Sequence, residues 1–138
     1  METPNFKQLM KYLNDINLPR DKFALFGSAP LAVRGLRDCH DLDLIMTDEL
    51  WIDLQEHYYP DSENPNKIIL LRSRISGETQ IEAFKTWEPW FDDVNELIES
   101  ADIIEGVRFV NLENVKKWKE QMGREKDKKD LQLIKQLQ

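Results

Sequence analysis

Apolar residues at Phe6, Leu9, Met10, Leu13 and Ile16 follow the i, i+3, i+4, i+7 spacing of one helical face, and predict an amphipathic helix over 6–16 that ends near Asn17-Leu18-Pro19. Phe23-Ala24-Leu25-Phe26 is an apolar run too brief for a helix; it stops at Gly27-Ser28 and predicts a buried strand feeding a turn. Ser28 stands where it would cap a helix with Pro30 in its first turn, continued through Leu31, Ala32, Val33 and Leu36 to Gly35 or just beyond. Asp41-Leu42-Asp43-Leu44-Ile45-Met46 alternates acid and apolar before becoming fully apolar, the pattern of a strand whose start is exposed on one face. Thr47 or Asp48 then caps a helix through about Tyr58, with Leu50, Leu54 and Trp51 as its inward candidates.

The stretch from Pro60 to Asn66 is dense in turn formers and predicts a loop. Lys67 to Arg72 and Gln80 to Lys85 predict two strands joined by a turn at Ser76-Gly77. A short helix follows over 91–99, then a small hairpin from Asp102 to Val110 broken at Glu105-Gly106. Two helices, about 112–122 and 124–137, close the chain with Gly123 between them as a C-cap. Strands interleaved with helices predict an α/β (α+β) fold.

Composition narrows the frame. At 138 residues with 41% hydrophobic and 33% charged residues, the chain suits a single domain over 1–138, with a core of about 20–110 followed by C-terminal helices over about 111–138. The longest apolar runs, such as Ile68 to Leu71, fall far short of the roughly 20 residues that span a bilayer, and the N-terminus lacks the pattern of a signal peptide. Cys39 is the sole cysteine and His40 and His57 the only histidines, so an intramolecular disulfide and a multi-cysteine zinc site are excluded and a reducing cytoplasm fits best. The net charge of −7 argues against wholesale coating of DNA. It is unevenly spread: residues 116–129 hold seven bases against three acids, a local +4 that leaves −11 for the rest. Either these bases meet phosphate or they form an ordinary solvated helix.

The chemistry centres on Asp41 and Asp43. Residues i and i+2 of a strand share a face about 6.5 Å apart, so two carboxylates can converge on one divalent cation; the bland alternative is a wet strand face with two unrelated acids. Oxygen-only ligands of this kind favour Mg²⁺ or Mn²⁺, which bring phosphate oxygens and water as further ligands. Gly27-Ser28, between a strand and a helix, frees backbone N–H groups in the manner of a phosphate cradle, or else Ser28 is simply an N-cap.

Phe26-Gly27-Ser28-Ala29 followed by Asp41-Leu42-Asp43-Leu44 resembles the signature of the DNA polymerase beta-like nucleotidyltransferase superfamily, in which Gly-Gly or Gly-Ser precedes a helix and an Asp-x-Asp strand. The run GSAPLAVRGLRDCHDLDLIM is similar to the small prokaryotic members linked to abortive-infection and toxin-antitoxin systems, with Arg37 in place of their arginine and Cys39 where Ser or Thr is usual. The tail resembles theirs as well: Lys119, then Arg124, Asp127 and Asp130 at three-residue steps on one helix stripe, with Leu131, Ile134 and Leu137 as the expected inward face. The resemblance implies a mixed sheet flanked by helices and a third carboxylate on a later strand. Glu82 within Ile81-Glu82-Ala83-Phe84 is its best match, and Glu78 a poorer one in the turn.

Under that resemblance the chain would transfer a nucleoside monophosphate from an NTP to a hydroxyl of a small molecule, protein or tRNA, releasing pyrophosphate. Asp41, Asp43 and Glu82 would hold Mg²⁺ (or Mn²⁺), Glu82 would orient or deprotonate the acceptor, and Gly27, Ser28 and Arg37 would hold phosphate, with Lys119 and Arg124 offsetting its charge and Asp127 positioning either base. A non-catalytic nucleotide-binding or partner subunit, as in a toxin-antitoxin pair, is the competing reading, supported by Glu82 standing where Asp is usual and by Cys39. Trp87-Glu88-Pro89-Trp90-Phe91 reads either as a cover for the core edge or as the wall of a substrate cleft. Cys39 lacks an evident base partner, which leaves a nucleophilic role with little support.

Overall fold

Alternation along the central strands decides the architecture. In the computed structural model, which describes residues 2–73 and 79–137, the strands are β1 (Phe23–Phe26), β2 (Leu42–Met46), β3 (Lys67–Ser73), β4 (Thr79–Phe84), β5 (Asp102–Ile104) and β6 (Val107–Phe109). They form one six-stranded mixed sheet in the order β3-β4-β2-β1-β6-β5. β2 runs antiparallel to β1 and parallel to β4, while β6 lies parallel to β1 and antiparallel to β5. The turn expected at Ser76-Gly77 and the alternative acid Glu78 lie outside the described residues.

Because successive strand residues point to opposite faces, each central strand divides its apolar residues between two cores. Phe23 and Leu25 of β1, Leu42 and Leu44 of β2 and Ile81 and Ala83 of β4 pack on one side with α1 (Pro4–Ile16) and α3 (Asp48–Leu54). Ala24, Phe26 and Ile45 pack on the other with α4 (Val94–Glu99), α5 (Leu112–Met122) and α6 (Glu125–Leu137). The result is a mixed sheet flanked by helices, with a C-terminal helical pair on the second face. Period-2 geometry also assigns Asp43 and Glu82 to that second face, since their neighbours in sequence are all committed to the first.

Local signals explain most boundaries. Thr47 caps α3 through Oγ1, which accepts from the Leu50 N–H at 3.2 Å, and Asn111 caps α5 in the same way at 2.9 Å. Gly123 ends α5 in the left-handed region at φ 62. The start of α1 is capped from a distance: the Asp38 carboxylate accepts from the N–H groups of Asn5 and Phe6 at 3.0 and 2.9 Å, placing negative charge at the positive end of the helix.

Three expectations fail on local grounds. The helix after Ser28 is α2 (Ala29–Ala32), a single turn, and Ser28 makes no side-chain cap bond because its Oγ is taken by Arg37. α3 stops at Leu54 and gives way to turns before Tyr58. On α6 the buried stripe is Asp127, Asp130 and Ile134, while Leu131 is only partly buried and Leu137 is 51% exposed. Acids take the inward positions because basic partners are waiting there: Lys119 of α5, itself 2% exposed, lies 2.8 Å from Asp130 and 3.7 Å from Asp127. Arg124 adds a two-toothed contact to Asp127 at 2.6 and 3.1 Å. Burial alone would raise the Asp127 carboxyl, but hydrogen bonds and charge from Arg124 and Lys119 hold it below the usual carboxylate range.

Breaking one partner of such a cluster strands the other charge in a low dielectric. Asp130→Ala is therefore expected to lower the unfolding free energy by about 3–5 kcal/mol in urea titrations. The exposed Lys128–Glu125 pair supplies the contrast: Lys128→Ala should change it by less than about 1 kcal/mol.

Candidate active site

The second face of the sheet brings together an acid near the start of β2 and one in the middle of β4, the strand parallel to it. Asp43 on β2 and Glu82 on β4 are direct register partners, and Phe26 on β1 is the antiparallel partner of Asp43. Directly opposed residues lie about 5 Å apart between backbones, so the two carboxylates stand side by side. On the far side of Glu82, the β3–β4 register slips between Ile69 and Leu71. An irregularity of this kind bends the strand locally and alters the aim of nearby side chains. Asp41 precedes β2, and its Oδ1 accepts from the Gln80 N–H at 2.8 Å, pinning it to the start of β4.

The turn after β1 closes against this cluster. Gly27 adopts φ 60, and a Cβ built there would collide with Oδ2 of Asp43. Glycine is required twice over, by backbone sign and by space. Ser28 follows, and its Oγ accepts from Arg37 Nη2 at 2.6 Å. Arg37 is fixed in turn by Asp130, with Nε at 2.6 Å from Oδ1 and Nη2 at 3.0 Å from Oδ2, and its Nη1 donates to the Asp38 carbonyl at 2.9 Å. One guanidinium thus ties the Gly-Ser turn, the loop before β2 and helix α6 into a unit.

These elements surround a cavity of about 510 Å³. Ser28, Arg37, Asp41 and Asp43 line it from the sheet side, and His40 stands at the loop. Helix α6 contributes Lys126, Lys129, Asp130 and Leu133, a stripe with the i, i+3, i+4, i+7 spacing of one face. Acids on the floor and lysines on the lid give the cavity both signs of charge.

Expected members of the site divide into two groups. Gly27, Ser28, Arg37, Asp41 and Asp43 come together, with Glu82 beside Asp43. Lys119, Arg124 and Asp127 do not line the cavity; they form an ionic cluster behind α6, with Lys119 and Asp127 buried and Arg124 partly exposed, where Arg124 and Lys119 also stand over the Trp118 ring at 5.8 and 5.0 Å. The expectation that Lys119 and Arg124 face phosphate is corrected: their charges are consumed by Asp127 and Asp130, and Lys126 and Lys129 line the cavity instead. The run of alternating charge over 124–130 held that signal, but only the register of α6 on the sheet separates inward from outward bases. Lys67 is a second addition, its Nζ 3.8 Å from Glu82 and 4.0 Å from Asp61.

Electrostatics mark the cluster as strained in charge. Burial, then repulsion from Glu82 and Asp41, pushes the Asp43 carboxyl up to about 7, against partial relief from Lys67 and Lys126. Burial also raises Glu82, opposed by Lys67. Cys39 is buried and its thiol is pushed up to about 12, chiefly by burial and next by Asp38, which fits a structural thiol. As the side chains stand, no three His, Cys, Asp or Glu groups converge closely enough to hold an ion among the described residues.

Comparison with protein-family models, with curated proteins and with solved structures finds no match for the chain. Among the described residues no helix is long and apolar enough to cross a membrane.

Because the folded value of Asp43 lies above its ordinary value of 3.8, its ionisation opposes folding. Its contribution to stability is complete below about pH 4 and is lost as the pH rises through about 7. In cation-free buffer, Asp43→Asn is expected to raise Tm by roughly 5 °C at pH 8 and to match the parent chain near pH 4. Thermal unfolding across that range checks the sign.

Proposed function

We propose that the protein is a Mg²⁺-dependent nucleotidyltransferase of the DNA polymerase beta-like superfamily, acting in the cytoplasm. It moves a nucleoside monophosphate from an NTP to a hydroxyl of a small molecule, protein or tRNA. The observation that carries this reading is the pairing of Asp43 with Glu82 in register, at a strand end closed by a Gly-Ser turn that only glycine can form. The donor set supports a hard divalent cation: oxygen-only ligands, crowded enough to raise Asp43, beside a turn that leaves Oδ2 of Asp43 uncovered by any Cβ.

In this reading Asp41, Asp43 and Glu82 hold the cation, which when bound supplies charge neutralisation at the reacting phosphate. Ser28, Arg37, Lys126 and Lys129 bind and orient the triphosphate, the lysines meeting charge that moves onto the departing pyrophosphate. The acceptor oxygen forms its bond to the α-phosphorus as the bond to the pyrophosphate oxygen breaks. Glu82 orients the hydroxyl and receives its proton, a role favoured by its raised basicity.

A non-catalytic nucleotide-binding or partner subunit, as in a toxin-antitoxin pair, is the second reading. It draws on Lys67, which stands 3.8 Å from Glu82 where a free third ligand would be wanted.

Incubation with each α-³²P-labelled NTP, Mg²⁺ and fractionated lysate distinguishes them. Transfer of label that Asp43→Ala reduces by about a thousandfold, with the fold intact by circular dichroism, supports catalysis. Transfer undiminished by that substitution refutes it, and Mg²⁺-dependent NTP binding without any transfer favours the second reading.

A further inference from the structure

A second cavity, of about 460 Å³, opens on the same side of the sheet beyond Glu82, within the roughly 300–1,000 Å³ of small-molecule sites. We infer that it is a nucleobase site, formed by Trp90 and Phe84 as stacking surfaces braced by Trp87 and by Asn64 and Asn66 as edge readers; its use in catalysis rests on the nucleotidyl-transfer reading, its existence does not.

Position comes first. Phe84 follows Glu82 by two residues on β4, so the two share a face about 6.5 Å apart. Trp87 stacks on Phe26 with centroids 4.7 Å apart, and Phe26 is the register partner of Asp43. The aromatic wall is therefore joined to both carboxylates, while the cationic cavity lies toward Ser28 and α6.

Chemistry selects the occupant. Glu88 is the one formally charged residue lining the second cavity among the described residues, so nothing there attracts phosphate. Phe84 and Trp90, both partly exposed where Trp87 is buried against Phe26, offer ring surface to a flat group, and every base has a π face. Each carboxamide offers a donor and an acceptor on one plane, the pattern that reads a base edge in two bonds. The wall is also set in advance. Trp87 is held edge-on by Phe84 at 5.0 Å and by Trp118 at 5.3 Å. The Asn64–Asn66 loop is pinned to the end of β4 by the Lys85 N–H, which donates to the Asn66 carbonyl at 2.9 Å, and Asn64 Oδ1 accepts from the Asn66 N–H at 3.1 Å. That leaves the Asn64 amide N–H₂ and the exposed Asn66 side chain to meet a ligand.

A base here belongs either to the donor NTP or to a nucleotide of the acceptor. The test measures binding of adenosine, guanosine, cytidine and uridine by tryptophan quenching, for the parent chain, Trp90→Ala and Asn66→Ala. At least one nucleoside is expected to bind, and each substitution to weaken it about tenfold. Asn66 is exposed, so Asn66→Ala keeps its Tm and carries the test if Trp90→Ala unfolds. Failure of all four nucleosides to bind, binding indifferent to both substitutions, or equal binding of neutral monosaccharides overturns the proposal. Calorimetric titration of the NTP with Ca²⁺ separates the sources: weakening by Asn66→Ala assigns the donor base, and unchanged NTP affinity with simultaneous nucleoside binding assigns the acceptor base. Nucleoside binding needs neither metal nor transfer, so Asp43→Ala tests the catalytic reading without touching this one.

Discussion

Asp130 is the hinge of the structure. Its carboxylate receives Arg37 through two nitrogens on one side and Lys119 on the other, at 2.6–3.0 Å, in an interior where any of the three alone would be costly. From that single anion two consequences run. Lys119 is neutralised, which allows α5 and α6 to close on each other with their polar stripe inward. Arg37 is held flat against Ser28, which joins the turn after β1 to a helix more than ninety residues away in sequence. The lysines over the cavity are placed by this anchor, since Lys126 and Lys129 follow the register that Asp130 sets.

The floor of the cavity obeys a different constraint. Period-2 alternation sends Leu42, Leu44, Ile81 and Ala83 into the first core and leaves Asp43 and Glu82 no choice of face. Parallel pairing of β2 with β4 then sets them side by side rather than offset. A sheet would ordinarily avoid two adjacent acids at a strand end, since like charges directly opposite destabilise a pair. Here Lys67 and Lys126 relieve only part of the repulsion, and Asp43 remains pushed up. Charge strain kept at one spot, beside a glycine whose missing Cβ leaves room for a carboxylate oxygen, favours a functional site over a wet strand face.

What could be read from the sequence follows the range of the interactions. Strands and caps set by neighbours within a few residues, such as Phe23–Phe26, the Thr47 cap and the Gly123 stop, stand where their patterns put them. The cluster of Gly27, Ser28, Asp41 and Asp43 was visible for the same reason, being two short motifs on adjacent strands. Ser28 illustrates the limit: its local pattern is that of an N-cap, yet a guanidinium nine residues on claims its oxygen, and α2 ends after one turn. Lys119 illustrates it further. A base among bases looks solvent-facing until the acids of the next helix turn inward, and no spacing rule distinguishes a buried ionic stripe from an exposed one.

The two cavities on the second face then differ for a reason rooted in the same packing. Helix α6 brings basic side chains over the Gly-Ser end of the sheet because its acids are drawn in beneath it. Beyond Glu82 the covering changes from helix to the aromatic cluster of Phe26, Phe84, Trp87 and Trp118, in which Phe26 stacks on Trp87 while Phe84 and Trp118 meet it edge-on. A ligand spanning the carboxylates would meet cations on one side and rings with carboxamides on the other. Charged and flat groups are thereby sorted along one axis of the sheet before any contact is made. The carboxylate pair lies between these two environments, where, under the proposed nucleotidyl transfer, a phosphate and a base joined through a sugar would bring their reactive bond.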